Sequence, residues 1–337
     1  MSSPTLRPAA SVAPVVAATA RPPLVGFGIV IGAAALFGTL GPLARFAYDA
    51  GMEPAGFVAW RALIALVATS VYVAWRVKRG ATRLIRLGDL PTRSRTLLLL
   101  AAVMGFTLNL FMFIAFDRIT IALALLGFYT YPAMVAVANV ALGRETLDRT
   151  RVIALGLAVL GMIAVVASQL DPAGAIRLDA IGIGLALGAA VSQTVFVVIS
   201  RDGYSDVPTE QAMATVMLVT VLGSVALALF SGALPSLVYP LTAPEVVPLL
   251  LFTGIFAAAI PSLGFLTGIR AIGGTRAGIL MLFEPVVGVA LAAWLLGEDL
   301  APIQLVGAAA ILAAALLLQR SASGPDADRP TVVPGGP

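Results

Sequence analysis

The chain contains no cysteine and no histidine. Without cysteine, disulfides and thiol chemistry are excluded. Without histidine, the usual general base and the commonest metal ligand are gone, and intramembrane Ser–His and His-Glu-x-x-His proteolysis go with them. Charge is scarce as well. Of the 337 residues 11% are charged and 60% hydrophobic, against about 25% and 45–50% in a soluble domain. A mean hydropathy of +1.01 fits a lipid setting. A soluble α/β fold with buried strands would show apolar runs of about 4–8 residues, and these are far longer. What remains for chemistry is carboxylates, arginine, hydroxyls and amides, so no metal and no cofactor are expected.

Long apolar runs, by contrast, are plentiful. They fall at 24–46, 56–76, 96–116, 120–142, 151–169, 180–200, 211–232, 247–267, 275–296 and 302–319. At about 20 residues per span each is able to cross a bilayer, and none alternates apolar and polar residues as a barrel strand would. The expectation is an all-α integral membrane protein with ten transmembrane helices. Residues 1–23 and 320–337 read as disordered tails. Ala18-Thr19-Ala20 looks like a signal-peptide cleavage site, but the stretch before it is short and broken by Pro14.

Arginine sets the orientation. One loop carries Arg76, Lys78, Arg79, Arg83, Arg86, Arg93 and Arg95; Arg144, Arg149, Arg151, Arg201, Arg270 and Arg276 fall on the same side, as do both tails. The other side keeps Arg45, Arg61, Arg118 and Arg177, so 17 of the 21 Lys and Arg share one face. This predicts a multi-pass protein of the cell membrane with both termini cytoplasmic. It also explains the pI near 9.8 without nucleic acid as a partner.

The two halves repeat. Pro132 and Pro285 stand 153 residues apart, as do Glu145 and Glu298, Asn109 and Ser262, and Tyr131 and Glu284. Gly28-x-x-x-Gly32 precedes Gly184-x-x-x-Gly188 by 156 residues, a difference that loops absorb. Five helices per half is an odd number, so the second half enters the membrane upside down relative to the first. The expectation is two inverted five-helix repeats, over 24–169 and 180–319, with a site near the midplane where they meet. The Gly-x-x-x-Gly pairs predict close packing inside a monomer or contacts in a homodimer.

The stretch from Pro132 to Gly143-Arg144-Glu145 resembles the EamA repeat of the drug/metabolite transporter superfamily. So does its partner, from Glu284-Pro285 into WLLGEDLAPIQL (294–305). Phe37-Gly38-Thr39 is similar to that family's Trp-Gly-Ser, and Arg61 early in the second helix also fits. The second half has no equivalent of Arg61 and no aromatic residue near Ser192 and Gln193; the first has no Glu before Pro132. The resemblance implies a secondary transporter of small metabolites, most often amino acids and their relatives, exporting or importing them against ion or substrate gradients. It also implies that helices 1, 3, 4, 6, 8 and 9 surround a central cavity, with Phe37 and Thr39 among its residues.

Glu284 conflicts with a lipid setting. It lies about nine residues into the ninth helix, roughly 14 Å deep at 1.5 Å per residue, near the middle of a hydrocarbon core about 30 Å thick. An ionised carboxylate there would cost several kcal/mol, so it must face a wet cavity, be protonated, or bind a cation. Pro285 withholds its N–H and frees the carbonyl of Met281, and irregular backbone at that depth survives only where it is buried or lines a cavity. Glu284 therefore reads as a proton carrier, a counter-ion for a substrate ammonium, or a neutral group bonded to a neighbouring helix.

Symmetry puts Tyr131 at the equivalent place on helix 4, while Tyr129, two residues away, is expected to point elsewhere. Asn109 and Ser262 form a second pair, Pro261 adds a kink to those at Pro132 and Pro285, and Ser192 and Gln193 lie midway along helix 6. Each polar residue is a candidate for the cavity wall or for a bond between helices. Arg61 is expected to snorkel outward to Asp49 or Glu53 or to bind a substrate carboxylate. Glu145 and Glu298 read as capping groups, partners of Arg144 or Arg151, or gates. An aspartyl dyad would need two deep carboxylates and a channel a ring of charges or carbonyls, so neither enzyme nor channel is expected. A scramblase-like lipid handler is the alternative, its headgroup held by the arginine-rich loops.

Overall fold

A backbone in lipid finds no water to bond, so a chain this apolar must close its hydrogen bonds within helices. The computed structural model describes residues 23–119, 121–167, 179–232, 234–296 and 301–322. Residues 1–22 and 323–337 of the tails, Arg177 and Glu298 lie outside the described residues, while residues 320–322 continue the last helix. Among the described residues there is helix and no strand, and ten helices are long and apolar enough to cross a membrane. Spans 1 to 5 are Leu24–Asp49, Gly56–Lys78, Thr92–Met112, Leu123–Ala141 and Arg149–Ala167. Spans 6 to 10 are Ala180–Ser200, Thr209–Phe230, Pro244–Ile272, Gly274–Leu295 and Pro302–Arg320. Large apolar side chains stand out from the bundle, Phe230 at 92% and Trp294 at 79% exposure, a surface suited to acyl chains rather than water. We call the face where span 1 begins and span 10 ends the terminal face, and the other the far face.

The contacts between spans carry the symmetry. Span 3 packs along span 6 as span 8 packs along span 1, and span 4 meets span 6 as span 9 meets span 1. Spans 2 and 7, 4 and 9, and 5 and 10 pair with their own counterparts. This is the pattern of an axis that exchanges the two halves, and five spans per half make the repeats inverted. The fold is all-α, with ten membrane-crossing helices in two inverted five-helix repeats.

Helices in lipid associate by close backbone approach, and the seam between spans 5 and 10 depends on it. A Cβ on Gly161 would meet the Gly307 carbonyl oxygen at 2.6 Å, and one on Gly307 would meet that of Gly161 at 2.5 Å. The Gly-x-x-x-Gly pairs do not act in this way. Gly28, Gly32 and Gly184 face open space, and of the four only Gly188 has a neighbour, Phe111. Spacing alone does not say which face of a helix meets a partner.

Hydropathy also missed a short helix, Leu234–Thr242, before span 8. It closes over span 2, whose Trp60 Nε1 donates to the Leu237 carbonyl at 2.7 Å. Span 6 starts on the far face at Asp179, whose carboxylate accepts from Arg118 Nη1 at 2.7 Å and from the Ile181 N–H at 2.9 Å. The Arg118 bond, and then the Ile181 N–H, hold this carboxyl below its usual range. A carboxylate depressed in the folded state stabilises above its unfolded value, about 3.9, and that contribution is lost as pH falls through the lower folded value. Asp179→Asn keeps a cap but no charge. Its unfolding midpoint in detergent should therefore lie below the parent's at pH 6 and converge on it towards pH 3; a constant offset would contradict this account.

Candidate functional site

Three spans are broken at mid-depth. Span 1 breaks at Thr39, between helices Pro23–Gly38 and Leu40–Asp49. Span 4 breaks at Tyr129–Thr130, between Ile121–Phe128 and Tyr131–Ala141. Span 9 breaks at Leu282–Phe283, between Gly274–Met281 and Glu284–Leu296. The last two breaks are themselves 153 residues apart. Pro132 and Pro285 are the second residues of the new helices, where a missing N–H leaves nothing unsatisfied. They start helices rather than kink them. At the break in span 9 the N–H groups of Leu282 and Phe283 turn to the carbonyls of Ile279 and Leu280, both at 3.1 Å. The hydroxyls of Thr130 and Thr39 cover the Gly127 and Leu36 carbonyls at 2.7 Å. Pro261 is accommodated differently, by a π turn over Ile255–Ala259 just before it, which widens the helix where the ring would strike a carbonyl.

Glu284 opens the second half of span 9, where the helix dipole favours negative charge. Span 1 seats it: a Cβ on Gly38 would lie 2.6 Å from the Glu284 carbonyl oxygen, so the break in span 1 packs against backbone that only glycine can approach. The Glu284 side chain is hydrogen-bonded with Tyr129 and lies within electrostatic reach of Tyr131 and Arg61. Arg61 Nη2 donates to Asn109 Oδ1 at 3.1 Å, and Asn109 Nδ2 donates to the Gly105 carbonyl at 2.8 Å. Tyr48 also lies within electrostatic reach of Arg61. Among the described residues Arg61 and Glu284 form no direct ion pair, and Arg61 Nε is buried without a partner. Glu284, Arg61 and Asn109 are half-buried, not sealed.

Two sequence expectations are corrected here. Tyr129 does not point away from Glu284, because the helical spacing that separates residues two apart ends with the helix at Phe128. Phe128 instead holds both tyrosines, with ring centroids 5.4 Å from Tyr129 and 5.2 Å from Tyr131. Arg61 does not snorkel to the far face but turns inward to Asn109. A Pro in the first turn of a helix was the available signal for the break, and it stands two residues beyond Thr130 and Phe283 alike.

Of the other candidates, Thr194 rather than Gln193 links span 6 to this centre, its hydroxyl 3.5 Å from the Tyr131 carbonyl. Ser192 is buried and donates to the Gly188 carbonyl at 2.9 Å. Gln193 is 9% exposed, Ser262 and Thr39 are half-buried, and Phe37 packs on the main core. Among the described residues none of these four is hydrogen-bonded to Glu284 or Arg61.

The terminal face is closed by bonds between the repeats. Glu145, beyond span 4, pairs with Arg201, beyond span 6, at 2.8 Å, and with Arg151 at 3.7 Å. Asn139 Nδ2 donates to Thr275 Oγ1 of span 9 at 3.1 Å, both groups buried. Arg144 is not a partner of Glu145; its Nη1 donates to the Val198 carbonyl at 2.7 Å. Arg270 fastens the following loop through the Val207 and Tyr204 carbonyls at 2.9 and 3.2 Å, and burial there pushes the Tyr204 phenol up.

Inverted five-helix repeats with broken helices are an architecture found among membrane transporters. The EamA-like transporter family model matches residues 24–167 and 180–320. The chain belongs to that family, in the drug/metabolite transporter superfamily, whose members are membrane transporters of small molecules rather than enzymes. Among solved structures 29 chains match. One crystal structure is 20% identical and covers 89% of this chain and 99% of its own, with a TM-score of 0.70; at that identity the likeness speaks for the fold alone. No curated protein matches the sequence.

Proposed function

We propose that this protein exports amino acids or closely related zwitterions across the cell membrane by alternating access, with a proton as the coupling ion. The observation that carries the reading is the charge pair left open at the centre. Arg61 and Glu284 are both half-buried and lie within electrostatic reach of each other without a direct ion pair. A zwitterion would set its carboxylate against Arg61 and Asn109 and its ammonium against Glu284, satisfying both desolvated charges. With no substrate bound, a proton neutralises Glu284, which is how one carboxylate would exchange protons for substrate. Export is the direction taken from the family resemblance, and the arginine-rich terminal face is taken as cytoplasmic. Counterflow in liposomes tests the substrate class: loaded amino acid should accelerate uptake of labelled amino acid, and its amide or decarboxylated analogue should not. Equal acceleration by all three would sink the zwitterion reading.

In this reading the closed terminal face makes the structure an outward-facing state. Glu145→Gln removes both of its ion pairs while keeping shape. Discounted for the partial exposure of Arg201, the loss is about 1–2 kcal/mol, or roughly five- to thirtyfold in the balance between states. A Ser262→Cys reporter in this cysteine-free chain should then react at least several-fold faster with a water-soluble thiol reagent applied from the terminal side. An unchanged labelling rate would mean that the pair is a surface contact and not a gate.

A further inference from the structure

The segment joining spans 2 and 3 is neither slack nor neutral. Residues 76–95 contain Arg76, Lys78, Arg79, Arg83, Arg86, Arg93 and Arg95 against a single acid, Asp89. Its backbone is pinned: Gln211 of span 7 donates to the Ile85 carbonyl at 2.6 Å and accepts from the Ile85 N–H at 3.0 Å. Ser94 donates to Asp206 at 2.9 Å, and Leu90 is buried. Arg76 is used inside the fold, paired with Glu210 at 3.4 Å and bonded to the Ala81 carbonyl at 3.2 Å. Lys78, Arg79, Arg83, Arg86 and Arg93 are left exposed.

Two apolar side chains stand among these cations where a soluble loop would carry polar ones. Leu84 is 59% and Leu87 43% exposed, and Ile85 between them turns into the core. At the end of span 2, exposed Tyr72 and Trp75 stack with centroids 5.8 Å apart, and the Arg79 guanidinium lies 4.5 Å over the Trp75 ring. Aromatic rings of this kind favour headgroup depth. The segment thus offers rings at the headgroups, leucines for the acyl boundary and cations for phosphates, in an arrangement fixed from behind by Gln211.

We infer that residues 78–93 form a docking surface for anionic phospholipid headgroups of the leaflet at the terminal face. The occupant is set by charge complementarity and by the leucines, which a soluble anion would leave exposed. The inference depends neither on the transport reading nor on which compartment the terminal face meets.

The test uses the full-length protein in nanodiscs of phosphatidylcholine with and without 30% phosphatidylglycerol, measuring retained lipid by native mass spectrometry after transfer to detergent. The parent should retain phosphatidylglycerol over phosphatidylcholine. Arg83→Gln with Arg86→Gln should cut that preference by about fivefold per arginine, and Leu84→Ser with Leu87→Ser should lower it at constant charge. Arg149→Gln with Arg320→Gln, two exposed positions on the same face, should leave it nearly intact. An equal drop in that control pair, or no drop in the leucine pair, would reduce the effect to diffuse charge and overturn the site. Unchanged unfolding midpoints in phosphatidylcholine confirm that the variants are folded.

Discussion

Glu284→Gln should abolish uphill transport driven by a pH gradient while leaving substrate exchange measurable. A proton gradient of one unit is worth 1.36 kcal/mol per proton, or about tenfold accumulation for one coupled proton. The parent in liposomes should approach that ratio, and the variant should settle near one. Glutamine keeps the volume of Glu284 and can still accept from Tyr129, so the seat against Gly38 is preserved; what it cannot do is change charge. Tyr129→Phe makes an informative companion. It leaves the carboxylate but removes its hydrogen bond, so it should shift the pH profile of transport and keep the coupling. A folded Glu284→Gln protein that still accumulates substrate along a pH gradient would show that the proton travels elsewhere, or that none is coupled.

Arg61→Gln should weaken binding of carboxylate-bearing substrates by about 2–5 kcal/mol, the usual loss when one partner of a desolvated charge pair is truncated. That is roughly thirtyfold to several-thousandfold in affinity. Asn109 would be left with a neutral neighbour and Glu284 without its counter-charge. The readout is selectivity: the parent should prefer an amino acid over its amide, and the variant should treat them nearly alike. Arg61→Lys keeps charge without the planar fork and should recover part of the preference. Equal losses for amino acid and amide would assign Arg61 to structure, with its bond to Asn109 acting only as glue between spans 2 and 3.

Both experiments turn on residues whose legibility in the sequence was unequal. Glu284 was visible because a carboxylate within a long apolar run has no inexpensive explanation, and the 153-residue offset tied it to Tyr131. Arg61 lay near a helix end, where a cation is ordinary, and nothing in its neighbourhood distinguished outward from inward. Tyr129 escapes helical spacing because the helix ends at Phe128, a break that the sequence marks only by Pro132, two residues beyond Thr130.

What the sequence determined by itself was everything set by solvent and by symmetry. Ten apolar runs in a chain with so few charges must cross a membrane as helices, because lipid offers the backbone no other partner. Two halves of five such runs, matched at Pro132 and Pro285, must be inverted. Tertiary structure decided what depends on rotation about helix axes and on where helices stop. It turned Gly28, Gly32 and Gly184 to open space and put a close backbone contact at Gly161 and Gly307. It brought Arg61, Asn109, Tyr129 and Glu284 from four spans to one centre, and it paired Glu145 with Arg201 across the repeats. Hydrophobicity specifies that a helix lies in lipid but is nearly indifferent to its rotation, since acyl chains and leucine are equally apolar; only packing against the other spans fixes which polar groups meet.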